Sequence, residues 1–348
     1  MNKSPLHIAI VILNWNGKSL LQQFLPSVIK TNYPNYTIVV ADNGSTDDSI
    51  EFIENEYPNI DLIKLDKNHG FAGGYNQALK QVKADIFVLL NSDVEVTPNW
   101  LNPIAKAFEQ DPKLGAAQPK IRWQRNKAMF EYAGGSGGFM DRFGYTFCRG
   151  RIFNELEKDD CQYNDEQEIF WATGCALFIR ADLYHNLGGL DADFFAHMEE
   201  IDLCWRLKNC GYSIKVIPNS MVYHVGAATL QKSNPRKTFL NFRNNLAMLF
   251  KNLPTSKLFH IILIRLILDG VAGLKFLLSG DIKSVWAIIK AHFAFYAWLP
   301  NLSKKRKKIK KINQSFSIGE ANRTGIYKGS LVWQHFAKGV KKFSQLKW

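Results

Sequence analysis

Residues 86–93, Ile-Phe-Val-Leu-Leu-Asn-Ser-Asp, constrain what this chain can fold into more than any other stretch. Five consecutive apolar residues rich in Val, Leu and Phe are what a strand buried on both faces of a parallel sheet requires. Asn91, Ser92 and Asp93 then fall at the carboxyl end of that strand, the edge on which open α/β sheets bind ligands. A carboxylate there can hold a divalent cation, and the cation can neutralise a diphosphate. Asn-Ser-Asp is also a good turn, so the choice depends on what the rest of the chain brings beside it.

Three strands are predicted upstream, at residues 6–13, 36–41 and 61–65, each followed by a helical pattern. Leu20, Leu21, Phe24, Leu25 and Val28 recur at helical spacing after Asn14-Trp-Asn-Gly17. Ser45 or Thr46 can cap a helix running through Tyr57, with Asp47 and Asp48 in its first turn. Asn68-His-Gly-Phe-Ala-Gly-Gly-Tyr-Asn76 opens the next helix. This alternation implies a parallel sheet with right-handed crossovers. Three polar strand ends, Asn14/Asn16, Asp42–Asp47 and Asn91–Asp93, therefore converge on one crevice. Asp42 can accept hydrogen bonds from a base or ribose there. Gly70 and Gly73 let backbone approach a ligand at a helix start, which suits phosphate.

Beyond Asp93 a helix is expected over 100–110 and a strand over 115–120. Residues 139–167 are poorly patterned and read as a long loop able to cover a site. Phe170–Ile179 returns to strand. Residues 194–207 start a helix that Gly211 stops. Glu199 and Glu200 stand in its first turn, where the helix dipole keeps a carboxylate ionised and able to act as a base. Asp202 and Arg206 are four apart and can pair. The flanking Phe194, Phe195, Met198, Ile201 and Leu203 imply a buried neighbourhood in which several carboxylates need a reason. A strand over 212–217 ends before Pro218, and His224 follows, able to join Asp93 on a cation.

The 348 residues are enough for two domains, and charge is unevenly shared between them. Residues 231–348 carry 23 Lys plus Arg against Asp269, Asp281 and Glu320, a net +20, whereas residues 1–230 are at −7. An acidic globular part joined to a basic region points to an anionic surface as partner of that region alone. The acidic part and the lack of a recognisable module argue against nucleic acid. Five cysteines without C-x-x-C spacing indicate neither a zinc site nor a disulfide framework, which fits a reducing compartment. Residues 6–13 read as a buried strand rather than a signal peptide, which keeps the protein in the cytoplasm.

Residues 258–278 are long enough to span a bilayer, but Arg265, Asp269 and Lys275 would each cost ~2.5–3.5 kcal/mol near its centre. At helical periodicity the three project within an arc of roughly 120°, leaving a broad apolar face. The helix should lie along a membrane or pack on the domain that precedes it. Residues 285–299 add Trp286, Phe293, Phe295, Tyr296 and Trp298, an interfacial mix, and Lys304–Lys311 is a basic run suited to anionic lipid.

Taken together, Val11-Ile-Leu-Asn-Trp-Asn-Gly17, Val40-Ala-Asp-Asn-Gly-Ser-Thr-Asp47, residues 68–76, Leu90-Asn-Ser-Asp93 and Glu199-Glu-Ile-Asp-Leu-Cys-Trp-Arg206 resemble glycosyltransferase family 2, in its bacterial rhamnosyltransferase-like branch. The resemblance spans about residues 6–250. It implies an α/β GT-A fold, a Rossmann-like mostly parallel sheet over 1–250; residues 251–348, on their own charge and apolar pattern, are expected to be a basic, helical, membrane-associating extension. It also implies inverting transfer from a nucleotide sugar in surface polysaccharide synthesis.

Carried over, Asp42 would hold the base beside Asn14 and Asn68. Asn16, Asn43, Asp47, Gly70, Phe71, Gly73, Asn76, Asn91 and Ser92 would complete the donor site. Asp93, with His224, would bind Mg or Mn. The chain has Asn91-Ser-Asp93 where the family often has Asp-x-Asp, so one carboxylate is missing. The family's acidic pair is commonly Glu-Asp and here is Glu199-Glu200, with Glu200 in the position of the base and Glu199 or Asp202 as alternatives. Trp171, Gly174 and Asp191 are the acceptor-side candidates; Trp171 and Gly174 read equally well as core strand residues. A polyprenyl-diphosphate-linked sugar as acceptor would explain lipid contact at the inner face of the membrane. The rival readings are a sugar nucleotidyltransferase and a catalytically silent glycan-binding relative.

Overall fold

Residues 4–226 and 234–348 are described by a computed structural model. The first half alternates as its apolar periods dictate: β1 (Ile8–Asn14), α1 (Lys18–Ile29), β2 (Tyr36–Asp42), α2 (Ser49–Glu56), β3 (Asp61–Lys64), α3 (Gly70–Ala78) and β4 (Ile86–Asn91). β1 lies between β2 and β4 and pairs in parallel with both, so Asn14 stands opposite Asp42 and Leu13 opposite Asn91. Alternation along β1 serves two cores. Ile8, Ile10 and Ile12 join Leu21, Trp100 and Phe108 on one face, while Ala9 and Val11 join Tyr75, Phe87 and Trp205 on the other. Each such large side chain contributes roughly 1.5–3 kcal/mol when fully buried. Burial on both faces is what the unbroken apolar composition of β1 and β4 requires.

The chain then runs through β5 (Val94–Val96), α4 (Leu101–Gln110), β6 (Leu114–Trp123), β7 (Asn126–Phe130), β8 (Gly138–Asp141), β9 (Thr146–Cys148), β10 (Arg151–Ile152) and β11 (Glu155–Leu156). β12 (Gln167–Glu168), β13 (Ala176–Arg180), α5 (Ala181–Asn186), α6 (Glu199–Asn209) and β14 (Ser213–His224) follow. The main sheet has the order β12-β14-β6-β13-β4-β1-β2-β3, with β5 on β14 and β7 on β6. β13 is antiparallel to both β4 and β6, which makes the sheet mixed.

Four expectations need correction. Residues 139–167 are not one loop but carry β8–β11, most of a second sheet. The strand expected over 170–179 is regular only from Ala176. β14 runs through Pro218, because a register shift between Ile217 and Met221 accommodates the missing donor. α2 begins at Ser49 without a cap from Ser45 or Thr46. Asp47 instead accepts from Ser49 N at 3.2 Å, while Ser45 and Thr46 bond to the polar ends of β1 and β2.

Three long helices follow: α7 (Pro235–Asn252), α8 (Thr255–Leu278) and α9 (Ile282–Phe316). α8 turns one charged pair inward. Arg265 and Asp269 are its buried residues, joined at 3.2 Å; His292 of α9 approaches Asp269 at 3.3 Å, and Arg265 lies 3.8 Å from the Tyr145 ring centroid. Phe259, Leu263, Ile267, Val271, Leu274 and Leu277 of α8 and Trp286, Phe293 and Tyr296 of α9 face outward. No helix among the described residues is long and apolar enough to cross a membrane. After α9 the chain returns to the first half: β15 (Ile326–Tyr327) pairs with β8, and Phe343 and Trp348 stack on Phe139.

Candidate active site

The carboxyl ends of β1, β2 and β4 bring the expected polar groups onto one edge. Asn14 Nδ2 donates to Asp42 Oδ2 at 3.0 Å and to Ser45 Oγ at 3.3 Å, and Ser45 N donates to Asp42 Oδ1 at 2.8 Å. Asn14 Oδ1 is buried with no partner among the described residues, an acceptor that costs free energy until something donates to it. Asn16, with φ 49°, accepts from Thr46 N at 2.7 Å. Asn43 and Asn68 knit the glycine loop: Asn43 Nδ2 donates to Asn68 Oδ1 and to Gly70 O, each at 3.1 Å, and His69 N donates to Asn43 Oδ1 at 3.0 Å. Gly70 has φ +71°, and a Cβ there would lie 2.7 Å from the Phe195 ring. Phe71 N donates to Phe195 O at 3.0 Å, so this loop is tied to the turn that precedes the acidic pair.

At the end of β4, His224 Nε2 lies 3.1 Å from Asp93 Oδ1 and 3.4 Å from Asn91 Nδ2. Glu131, which the sequence reading missed, stands 3.5 Å from Nδ1, an ion-pair distance rather than a hydrogen bond. Burial would raise the Asp93 carboxyl, but the imidazole beside it holds it below the usual range. Burial would likewise depress His224, and Cys175, Glu131 and Asp93 outweigh it and hold the imidazole well above its ordinary value. Among the described residues no group of three or more His, Cys, Asp or Glu could hold a metal alone. Mg and Mn need only one or two protein ligands when substrate phosphates and water supply the rest. Asp93 can supply one such ligand, whereas His224, paired with it and held protonated, would have to give up its proton to supply a second.

α6 begins at Glu199 out of an unusual turn, in which Phe195, His197 and Met198 have φ of 66°, 70° and 76°. Such backbone costs about 1–3 kcal/mol per residue and persists only where the surroundings hold it. His197 Nε2, Glu199 Oε2 and Glu200 Oε2 are all enclosed without a hydrogen-bond partner among the described residues. Glu200 is open on one side as a residue, yet burial of its carboxyl pushes the pKa up to about 7. Glu199 is raised well above its ordinary value by burial and by the charge of Glu200. Gly174 borders the pair: a Cβ there would lie 3.1 Å from the Phe71 ring and 3.7 Å from Glu200 Cβ.

The structure gives other candidates scaffold roles. Asp202 is no free base, because Arg206 and Lys251 pair with its Oδ2 at 3.0 and 2.9 Å and Asn252 donates to its Oδ1 at 2.7 Å. Burial would raise Asp191, but Lys251 at 2.6 Å and Lys305 hold it far below the carboxylate range. Trp171 is core, its indole N–H donating to Phe139 O at 2.9 Å. Asn76 Oδ1 accepts from Tyr184 Oη and Leu190 N at 2.7 and 3.0 Å, which pins the Gly189–Leu190 turn. Asp47 ties the start of α1 to that of α2, accepting from Lys18 N at 3.1 Å. Gly73 lies against His69, and Ser92 near Gly17.

The mixed sheet, with polar strand ends along one edge, is that of a GT-A fold, and the family match makes the protein a glycosyltransferase. Residues 9–188 match the family described as glycosyl transferase family 2, and the chain belongs to that family. An N-acetylglucosaminyl-diphospho-decaprenol L-rhamnosyltransferase of Mycobacterium tuberculosis is 24% identical over 233 residues, 62% of this chain and 75% of that protein. Among solved structures, S. aureus TarS 1–349 in complex with UDP-GlcNAc gives a TM-score of 0.53 at 16% identity, covering 93% of this chain and 99% of that one. GalNAc-T7 with UDP, GalNAc and Mn2+ gives 0.56 at 17% identity over 72% of this chain, which spans 48% of that protein, about half. These structural likenesses show the fold.

Proposed function

We propose that this glycosyltransferase moves a sugar, rhamnose or another hexose, from a UDP- or dTDP-sugar to a hydroxyl of a glycan or polyprenyl-diphosphate-linked acceptor, with inversion, in bacterial surface polysaccharide synthesis. The observation that carries the reading is the enclosed Glu200 carboxyl, whose Oε2 has no hydrogen-bond partner among the described residues, on a side chain whose Cβ lies close to Gly174. Asp42, Asn14 and Asn68 hold the base and ribose, and the backbone of residues 68–76 meets the diphosphate. Glu200 takes the proton from the acceptor hydroxyl as it attacks the anomeric carbon, general-base work worth about 10²–10⁴-fold. Asp93 with His224 would hold Mg or Mn, whose charge stabilises a leaving nucleoside diphosphate when bound. Support for the donor class comes from the nucleotide complexes of the structural neighbours, and for the acceptor class from the name of the mycobacterial relative.

The outward apolar faces of α8 and α9, with Lys257, Lys275, Lys283 and Lys290 exposed along them and the Lys304–Lys311 run beyond, support docking on an anionic membrane as a peripheral protein. Apolar side chains enter the headgroup boundary while each nearby cation contributes about 1 kcal/mol.

Nucleoside diphosphate release by the protein in mild detergent, across UDP-, dTDP- and GDP-sugars with Mg or Mn and with lipid extract as acceptor source, tests the reaction. Release from one donor that falls at least ~100-fold in Glu200→Gln, and vanishes in Asp93→Ala, supports the reading. Release unchanged in Glu200→Gln moves the base to Glu199.

A further inference from the structure

The turn that delivers Glu199 and Glu200 does not hold itself. Its own hydrogen bonds are short-range ones, Phe194 N to Asp191 O at 3.0 Å, Phe195 N to Ala192 O at 3.1 Å and Ala196 N to Phe194 O at 2.8 Å. Left-handed residues at 195, 197 and 198 turn several carbonyls toward α7, and buried carbonyls need donors. One side chain supplies them. Asn244, wholly buried on α7, shares its two Nδ2 hydrogens among Phe194 O at 3.0 Å, Ala196 O at 2.9 Å and His197 O at 2.8 Å. Arg243 adds contacts to Asp193 O and Phe194 O, each at 3.3 Å.

α9 grips the other end of the same turn. Lys305 pairs with Asp191 and, at 2.6 Å, with Asp193, and Asn301 Nδ2 donates to Asp193 Oδ2 at 3.1 Å. Lys251 then links Asp191 at 2.6 Å to Asp202 of α6 at 2.9 Å. The clamp thus comes from outside residues 9–188, the part that matches the family.

We infer that Asn244 is a positioning residue for the transfer reaction: with Lys305 it holds the turn before α6 so that Glu200 keeps its place near Gly174 with its carboxyl enclosed. The C-terminal helices in this view complete the active site as well as reaching toward lipid. The inference rests on Glu200 being the base. A reacting group displaced by about 1 Å costs on the order of 100-fold, and a turn released from α7 also admits water to the carboxyl. Loss of the clamp should therefore lower kcat and lower the pKa of the base together.

Asn244→Ala and Lys305→Met are compared with wild type for kcat, KM, the pH dependence of kcat, UDP binding by calorimetry and thermal midpoint. Lys305 is at the rim, so its variant reports on the clamp if Asn244→Ala fails to fold. Expected in Asn244→Ala is a fall in kcat of about 100-fold, an acid limb displaced to lower pH and UDP affinity within about 2-fold of wild type. Lys305→Met should move the same readouts by less, and Lys305→Arg should restore them. Wild-type kcat and an unmoved acid limb in the folded variants overturn the inference even where Glu200→Gln abolishes transfer. Full transfer by Glu200→Gln overturns the base assignment instead.

Discussion

Burial is what suits Glu200 to its proposed work. A base must be unprotonated before reaction and basic enough to take a proton during it, which is best met by a pKa near the working pH. Desolvation brings the Glu200 carboxyl to about 7 from an ordinary 4.5. Protonation below that value removes the base, so kcat should fall tenfold per unit of pH on the acid side of a limb near 7. A pH–rate profile in the presence of saturating donor checks this, and a limb near 4.5 would show a solvated carboxylate instead. The neighbouring Asp202 shows why residue type is not enough. It sits two residues from Glu200 in the same first turn, yet Lys251 and Asn252, about fifty positions later, occupy its oxygens. Nothing in the local pattern announces those partners.

Elements differ in how far their sequence announces them. β1, β2 and β4 were legible because burial on both faces leaves an uninterrupted apolar run and a polar stop, and those stops carried Asn14, Asp42 and Asp93 to one edge. β8–β11 were not, since strands of two to four residues are too short to show a period. The start of α6 was placed five residues early, because apolar Phe194 to Met198 mimic a helical face while folding as a strained turn. The glycine loop couples to that turn through Phe195, whose carbonyl accepts from Phe71 N and whose ring lies against Gly70. Gly70→Ala combines a left-handed φ of +71° with a Cβ 2.7 Å from Phe195. Backbone strain alone predicts a loss of about 1–2 kcal/mol, and Phe195 must shift, so turnover should fall further than stability. Thermal denaturation beside single-turnover rates separates the two, and equal rates in mutant and wild type would deny the coupling.

For the whole molecule, the basic region of the sequence folds as helices around an inward polar cluster of Arg265, Asp269 and His292, with an apolar ridge facing outward. Apolar and cationic side chains are both exposed on α8 and α9, the two ingredients that the proposed membrane docking needs. Sedimentation with phosphatidylglycerol vesicles should carry the protein down, with binding weakened by salt and weakened further by the double variant Ile267→Glu and Phe293→Glu, at two exposed positions. Equal partitioning of the double variant would assign the ridge to another partner. β15 adds a matter of timing. Its strand partner β8 was made some 185 residues earlier, so during synthesis the edge of β8 waits unpaired while α8 and α9 leave the ribosome first. The second sheet therefore closes only when the last stretch of the chain has been made, so a truncation before residue 326 leaves β8 with one strand neighbour instead of two.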